Sequence, residues 1–205
     1  LYRGAIPVFV DIDPLTFNVV VEAVERAITH RTRALYAQHT FGLICNVDGL
    51  NAVGEKYRIP VIEDAAHALG ASWRGRAAGG LSKVAFFSTD HTKVINTVVG
   101  GVVTTSDEKL IQRLGSVRQR IPALPRRTVS GLIRTFLLEY PLTEPRVYGF
   151  FGKTLLGLFH RLGFLYFFRD EMATVKPTAY PYPAKMSQFQ AWLGRSQMAA
   201  LGDNL

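Results

Sequence analysis

Ile59-Pro60-Val61-Ile62-Glu63-Asp64-Ala65-Ala66-His67 is the stretch that decides the fold. Its apolar start reads as a buried strand over residues 60–63 that runs out into a loop on two acids. Upstream, residues 47–57 read as a helix, 34–38 as a strand, 19–28 as an amphipathic helix and 6–12 as a further strand. Downstream, 84–88 and 100–105 read as strands, and Asp107 stands where it would cap a helix from Glu108 to about Arg120. Strands alternating with helices at this spacing predict an α/β domain with a mainly parallel sheet flanked by helices. Such a sheet places its chemistry at the carboxyl ends of its strands.

Chemistry-bearing residues gather at those ends. Asp64 follows the 60–63 strand, Ser88 closes the 84–88 strand, Lys93 lies on the connection to the next strand, and Gly100-Gly101 begins that strand. An acid, a hydroxyl, a lysine and paired glycines in this order suit pyridoxal phosphate (PLP). Lys93 would carry the Schiff base, its amine made reactive by a partly dehydrated pocket. Asp64 would pair with the pyridinium N–H and keep the ring an electron sink. Ser88 would donate to the phosphate, and His67 would lie over the ring or near its phenolic oxygen. Each residue taken alone has a plainer reading. A lone lysine is usually a solvated amine, an aspartate at a strand end a cap or salt bridge, a serine there a turn former, and a histidine a satisfied loop residue.

Composition narrows the remaining possibilities. With 205 residues and 48% hydrophobic content the chain can bury a sizeable core as one domain or one and a half. Cys45 is the sole cysteine, so an internal disulfide and a Cys-rich metal site are excluded, no metal is expected, and a reducing, cytoplasmic setting is the simplest reading. Leu1 stands a few residues ahead of the first strand-like run, and a helix expected over 186–205 has nothing after it to pack on. The chain is therefore expected to be the central part of a longer protein.

The net charge of +8 is concentrated. Residues 111–170 carry ten Arg or Lys against Glu139, Glu144 and Asp170. After Pro122 and Pro125 the sequence turns apolar and aromatic, with Phe150, Phe151, Phe159, Phe164, Phe167 and Phe168 among interspersed arginines. Within 130–169, Thr154 to His160 is as long as any stretch free of Lys, Arg, Asp and Glu, far short of the roughly 20 apolar residues a spanning helix needs. The segment reads as a helical hairpin packed on its own protein or a partner subunit, with peripheral membrane contact through 121–180 as the alternative. Nucleic acid is not expected, because no recognition motif accompanies the charge.

The stretch from Gly4 to about Gly115 resembles the DegT/StrS family of PLP-dependent sugar aminotransferases. The resemblance rests on Gly4-Ala5-Ile6-Pro7-Val8-Phe9-Val10-Asp11, Gln38-His39-Thr40-Phe41-Gly42, Glu63-Asp64-Ala65-Ala66-His67-Ala68-Leu69-Gly70-Ala71, Phe87-Ser88 with Lys93, and Gly100-Gly101. It implies a fold type I PLP-transferase large domain, with Lys93 as Schiff-base lysine, Asp64 on the ring nitrogen, Ser88 on the phosphate, and His67 where many members have glutamine. Members usually transfer an amino group from glutamate or glutamine to a keto group on a nucleotide-linked sugar, and work as homodimers. Lys93 points to the transaminase branch, since a related dehydratase branch has histidine in its place.

On this reading residues 1–120 are the PLP-binding portion, 121–180 an apolar, arginine-rich helical insertion, and 181–205 the first helix of a small domain. The family's N-terminal part, with a Ser-Gly-Thr phosphate cradle and a ring-stacking aromatic, has no counterpart in this sequence. Pro183-Ala184-Lys185-Met186 replaces an Asn-x-Arg-Met run whose asparagine reaches the partner subunit's cofactor. A catalytically silent, membrane-peripheral or scaffolding relative is the competing function.

Overall fold

The parallel sheet expected from the spacing is present in the computed structural model, which describes residues 4–166 and 183–203. A short helix, Val21–Arg26 (α1), precedes strand Leu35–Gln38 (β1), helix Val47–Tyr57 (α2) and strand Val61–Asp64 (β2). A small antiparallel hairpin, Ser72–Trp73 (β3) and Arg76–Ala77 (β4), leads to strands Val84–Ser88 (β5) and Gly101–Thr105 (β6). The main sheet has the order β1-β2-β5-β6, with β1, β2 and β5 parallel and β6 antiparallel to β5.

The crossover helix α2 closes one face of this sheet. Asn46 starts it by accepting from the Gly49 N–H, and Arg58 ends it in the left-handed conformation. Gly54 is needed in its last turn, where a Cβ would stand 2.7 Å from the Ile59 carbonyl oxygen. Val47, Leu50 and Val53 pack with Leu35, Ala37, Cys45, Val61 and Leu81. Fully burying a side chain such as Leu50 contributes roughly 1.5–3 kcal/mol.

Side chains alternate between the faces of a strand, so neighbours in sequence part company. Leu35, Ala37, Val61, Glu63 and Ala85 are buried beneath α2. Tyr36, Gln38, Ile62, Asp64, Phe86 and Ser88 share the opposite face through the register Tyr36↔Ile62, Gln38↔Asp64 and Asp64↔Phe86.

Downstream, Asp107 caps helix Glu108–Arg120 (α3) by accepting from Leu110 N at 3.0 Å, as its position predicts. Helices Arg126–Leu142 (α4) and Pro145–Val147 (α5), a π-helical turn Tyr148–Gly152, and helix Lys153–Arg161 (α6) follow. The segment is thus mostly helical, as expected, although Phe167, Phe168, Arg169 and the rest of 167–182 lie outside the described residues. Leu132 of α4 packs with Val98 and Leu124 in a second cluster. Among the described residues no helix is long and apolar enough to cross a membrane. The final helix is Gln188–Ala199 (α7), capped by Ser187.

Two expectations need correction. Residues 6–12 form no strand. Their one ladder contact is the isolated bridge Ile12↔Val19, and Ile6, Val8 and Phe9 are 87%, 70% and 90% exposed. Among the described residues no neighbouring strand satisfies their backbone groups, and β pairing cannot form without one. The helix read over 19–28 is confined to Val21–Arg26, because Val20 is extended and Val19 is held in the bridge to Ile12.

Candidate active site at the strand ends

Asp64 ends β2 and is 9% exposed. Its Oδ1 accepts from Ala66 N at 2.9 Å and its Oδ2 from the Tyr36 hydroxyl at 2.6 Å. Burial pushes the Tyr36 phenol well above its ordinary range, and the hydrogen bond to Asp64 and its charge add to the effect. Among the described residues no basic side chain lies within 4.0 Å of the Asp64 carboxylate.

Glu63, its neighbour, is fully buried on the other face and saturated. His39 Nε2 donates to Oε1 at 3.0 Å, while Nδ1 of the same ring accepts from Cys45 N at 3.4 Å. Backbone N–H groups of Gly79, Leu81 and Ser82 complete the shell. Burial pushes the Glu63 carboxyl up, but the bonds from His39, Gly79, Ser82 and Leu81 together outweigh it and leave the group below the ordinary carboxylate range.

Ser88 ends β5, half-buried and opposite Gly101, with its Oγ accepting from Asp90 N at 3.3 Å. Beyond it the chain makes a loop pinned at its base by Thr89 N to Gly100 O (3.0 Å) and His91 N to Val98 O (3.1 Å). Asp90 shapes the approach, accepting from Thr92 N and Thr92 Oγ1 and pairing with His91 Nδ1 at 3.0 Å. Lys93 follows, half-buried, with its backbone N–H on Asp90 O at 2.9 Å. No carboxylate lies within 4.0 Å of its ammonium among the described residues.

Gly100 is demanded by packing. A Cβ there would stand 2.9 Å from both Met186 Cε and Thr89 Oγ1. A cleft of about 260 Å³ opens beside Gly100 and Gly101 toward Met186 and Gln190, but Asp64, Ser88 and Lys93 do not line it. His67 is exposed, and its ring makes no hydrogen bond among the described residues.

The fold therefore brings Asp64 and Ser88 to the same face and end of adjacent strands, and hangs Lys93 on the loop that leaves from Ser88. Sequence reasoning missed Tyr36, whose place on that face follows only from the β1–β2 register. It also missed Gln190 and Gln197 behind the Lys93 loop. Part of the first was legible, since Ser187-x-x-Gln190 is a capping-box pattern and both bonds form.

Residues 1–122 match the model of the DegT/DnrJ/EryC1/StrS aminotransferase family. The chain belongs to this family. It is 44% identical over 115 residues to L-glutamine:2-deoxy-scyllo-inosose aminotransferase of Streptomyces fradiae, a match over 56% of this chain and 27% of that protein. The crystal structure of DesI in the presence of its TDP-sugar product is 39% identical, with a TM-score of 0.56, over 58% of this chain and 30% of DesI. An aminotransferase from Psychrobacter cryohalolentis, 25% identical, superposes with a TM-score of 0.64 over 98% of this chain and 42% of its own. The architecture is thus that of fold type I aminotransferases, and this last match runs on through the helical segment. The chain spans less than a third of the length of the curated relatives it matches.

The donor set fits the PLP of this aminotransferase family. A buried carboxylate and an amine that have no oppositely charged partner among the described residues, with a hydroxyl at the neighbouring strand end, are groups that suit a protonated pyridine, an aldehyde and a phosphate.

Proposed function

We propose that this protein is a PLP-dependent aminotransferase that moves an amino group from glutamate or glutamine to a keto group of a nucleotide-linked sugar. The observation that carries this reading is Asp64. A carboxylate nine-tenths buried, given one N–H and one phenol but no cation among the described residues, is costly unless a positive partner arrives. A protonated ring nitrogen is such a partner. Bound PLP supplies an electron sink and a carrier for the amino group.

On this reading the chain's own residues divide the work. Asp64 holds the proton on the ring nitrogen, Ser88 Oγ donates to the phosphate, and His67 turns its exposed ring toward the cofactor. Lys93 Nζ would hold the cofactor and, as a free amine, would take a proton from the substrate carbon and return one. Glutamine as donor and a nucleotide-linked substrate are supported by what the Streptomyces relative and DesI are named for. Two copies of the chain would share the site in a homodimer. A single, buried cysteine, Cys45, is compatible with a reducing cytoplasm.

The test is chemical trapping in the full-length protein. After incubation with PLP and reduction with borohydride, peptide mapping should find a phosphopyridoxyl group on Lys93. An adduct on another lysine, or none, would overturn the assignment. A second reading, a silent membrane-peripheral relative, draws on exposed Phe150, Phe151, Leu158 and Leu162 close in sequence to Lys153 and Arg161. It requires salt-sensitive binding to anionic vesicles and no cofactor uptake.

A further inference from the structure

We infer that α7 is a positioning element for Lys93, acting through Gln190 and Gln197 on the backbone just past that lysine; this rests on the proposed role of Lys93. Gln190, Leu193, Gly194 and Gln197 fall at helical spacing on one face of α7. That face lies against residues 96–99, the outgoing limb of the Lys93 loop.

Gln197 makes a two-point amide pair with Asn96, accepting from Asn96 N at 2.9 Å and donating to Asn96 O at 2.7 Å. Gln190 is 1% exposed, and its Nε2 donates to Thr97 O at 3.3 Å and to Val99 O. Its Oε1 is held by Ser187 N and Ser187 Oγ, so the side-chain amide has no freedom left to turn away. Gly194 allows the close approach, since a Cβ there would stand 3.2 Å from Thr97 Cγ2.

The limb needs this hold. Val98 sits at φ 68°, a left-handed conformation that a β-branched residue adopts only where its surroundings impose it. Asn96 helps to impose it, its Oδ1 accepting from Val98 N at 2.7 Å, and Asn96 is in turn fixed by Gln197. The incoming limb is set locally by the Asp90 turn, whereas the outgoing limb, besides its backbone bonds to Thr89 and His91, is held from about a hundred residues away. Lys93 lies between the two anchors. Its amine is therefore aimed in part by groups outside the set formed by Asp64, Ser88 and Lys93.

Gln197→Met tests this, because it keeps the stem's volume and removes only the amide, and Gln197 is half-buried, so the fold should survive. In the cofactor-free full-length protein, amide exchange in 93–99 should speed up about tenfold, the range set by one or two lost hydrogen bonds. In the PLP-loaded protein, the pH midpoint of the absorbance band lost in Lys93→Ala should move by about half a unit or more. Faster exchange with an unmoved midpoint, or no change in either, would reduce α7 to a structural support and overturn the inference. If Lys93→Ala leaves the band in place, it is the role of Lys93 that fails, and this inference with it. Gln190→Met should show the same signature more strongly; if it does not fold, Gln197→Met decides alone.

Discussion

Glu63 and Asp64 are consecutive carboxylates on one strand, both nine-tenths buried or more, yet they lie on opposite faces of the sheet and in opposite states of satisfaction. Glu63, beneath α2, accepts from one imidazole and three backbone N–H groups. Asp64, on the other face, accepts from one N–H and one phenol and has no cation beside it among the described residues. Burial alone would rank the two acids together. What separates them is the number and charge of their partners. A saturated buried acid belongs to the fold, and an undersupplied one at a strand end is kept for something that binds there.

The largest expected effect lies on the Asp64 face. Asp64→Ala should lower the proposed aminotransferase activity of the full-length protein by about 10³-fold or more, on the scale of losing a group that would control proton placement, while thermal stability changes little. Steady-state rates and a melting curve on the same sample check both halves. A variant that melts far below the parent would erase the contrast with Glu63.

Glu63→Ala should do the reverse. Removing the acceptor leaves buried donors unsatisfied at about 1–3 kcal/mol each, so denaturant unfolding should show a large part of the domain's stability gone. Leu50→Ala, in the same layer, should cost about 2–5 kcal/mol by leaving a cavity under the sheet. If Glu63→Ala unfolds at the parent's midpoint, the saturated shell has no structural weight.

The same comparison can be sharpened with pH. The Glu63 carboxyl is held below its ordinary value of 4.5 in the folded chain, so the folded state binds the proton less readily than the unfolded one. Its contribution is fully present above about 4.5 and disappears as pH falls through the lowered folded value. Stability measured from neutral pH downward should therefore fall in that acid window, and the fall should be shallower in Glu63→Gln. An equal fall in both proteins would place the acid sensitivity on other carboxylates.

How much of this was legible in sequence follows from the range of each interaction. Strand β5, helix α2 and the Asp107 cap depend on period, turn chemistry and capping within a few residues and stand where the sequence places them, while β2 runs one residue later, to Asp64, so that both acids lie in the strand. The order Asp64, Ser88, Lys93 was legible because a parallel sheet delivers strand ends to one edge. Residues 6–12 misled because an alternating apolar run is a strand only when another strand lies beside it. The division of Glu63 from Asp64 was half legible. Alternation puts them on opposite faces, but only α2 and the 79–82 turn decide which face is closed. The loop contacts of Gln190 and Gln197 were beyond reach, since a glutamine in a helix carries no mark of a loop some hundred positions earlier.

Tyr36 supplies the smallest and most discriminating effect. Its hydroxyl donates to Asp64 Oδ2 at 2.6 Å, one of two bonds that the carboxylate has among the described residues. A hydrogen bond to a charged group is worth about 1.5–3 kcal/mol when its loss leaves the charge buried and unpaired. Tyr36 is 51% exposed, however, and water that follows the missing hydroxyl would return part of that. Tyr36→Phe should therefore cost about 1 kcal/mol in the cofactor-free protein by denaturant unfolding. In the PLP-loaded protein the cost should shrink if, as proposed, the ring N–H takes up the carboxylate. An equal cost with and without PLP would mean that Asp64 gains no partner from the cofactor, and its kinship with Glu63 would be closer than their surroundings indicate.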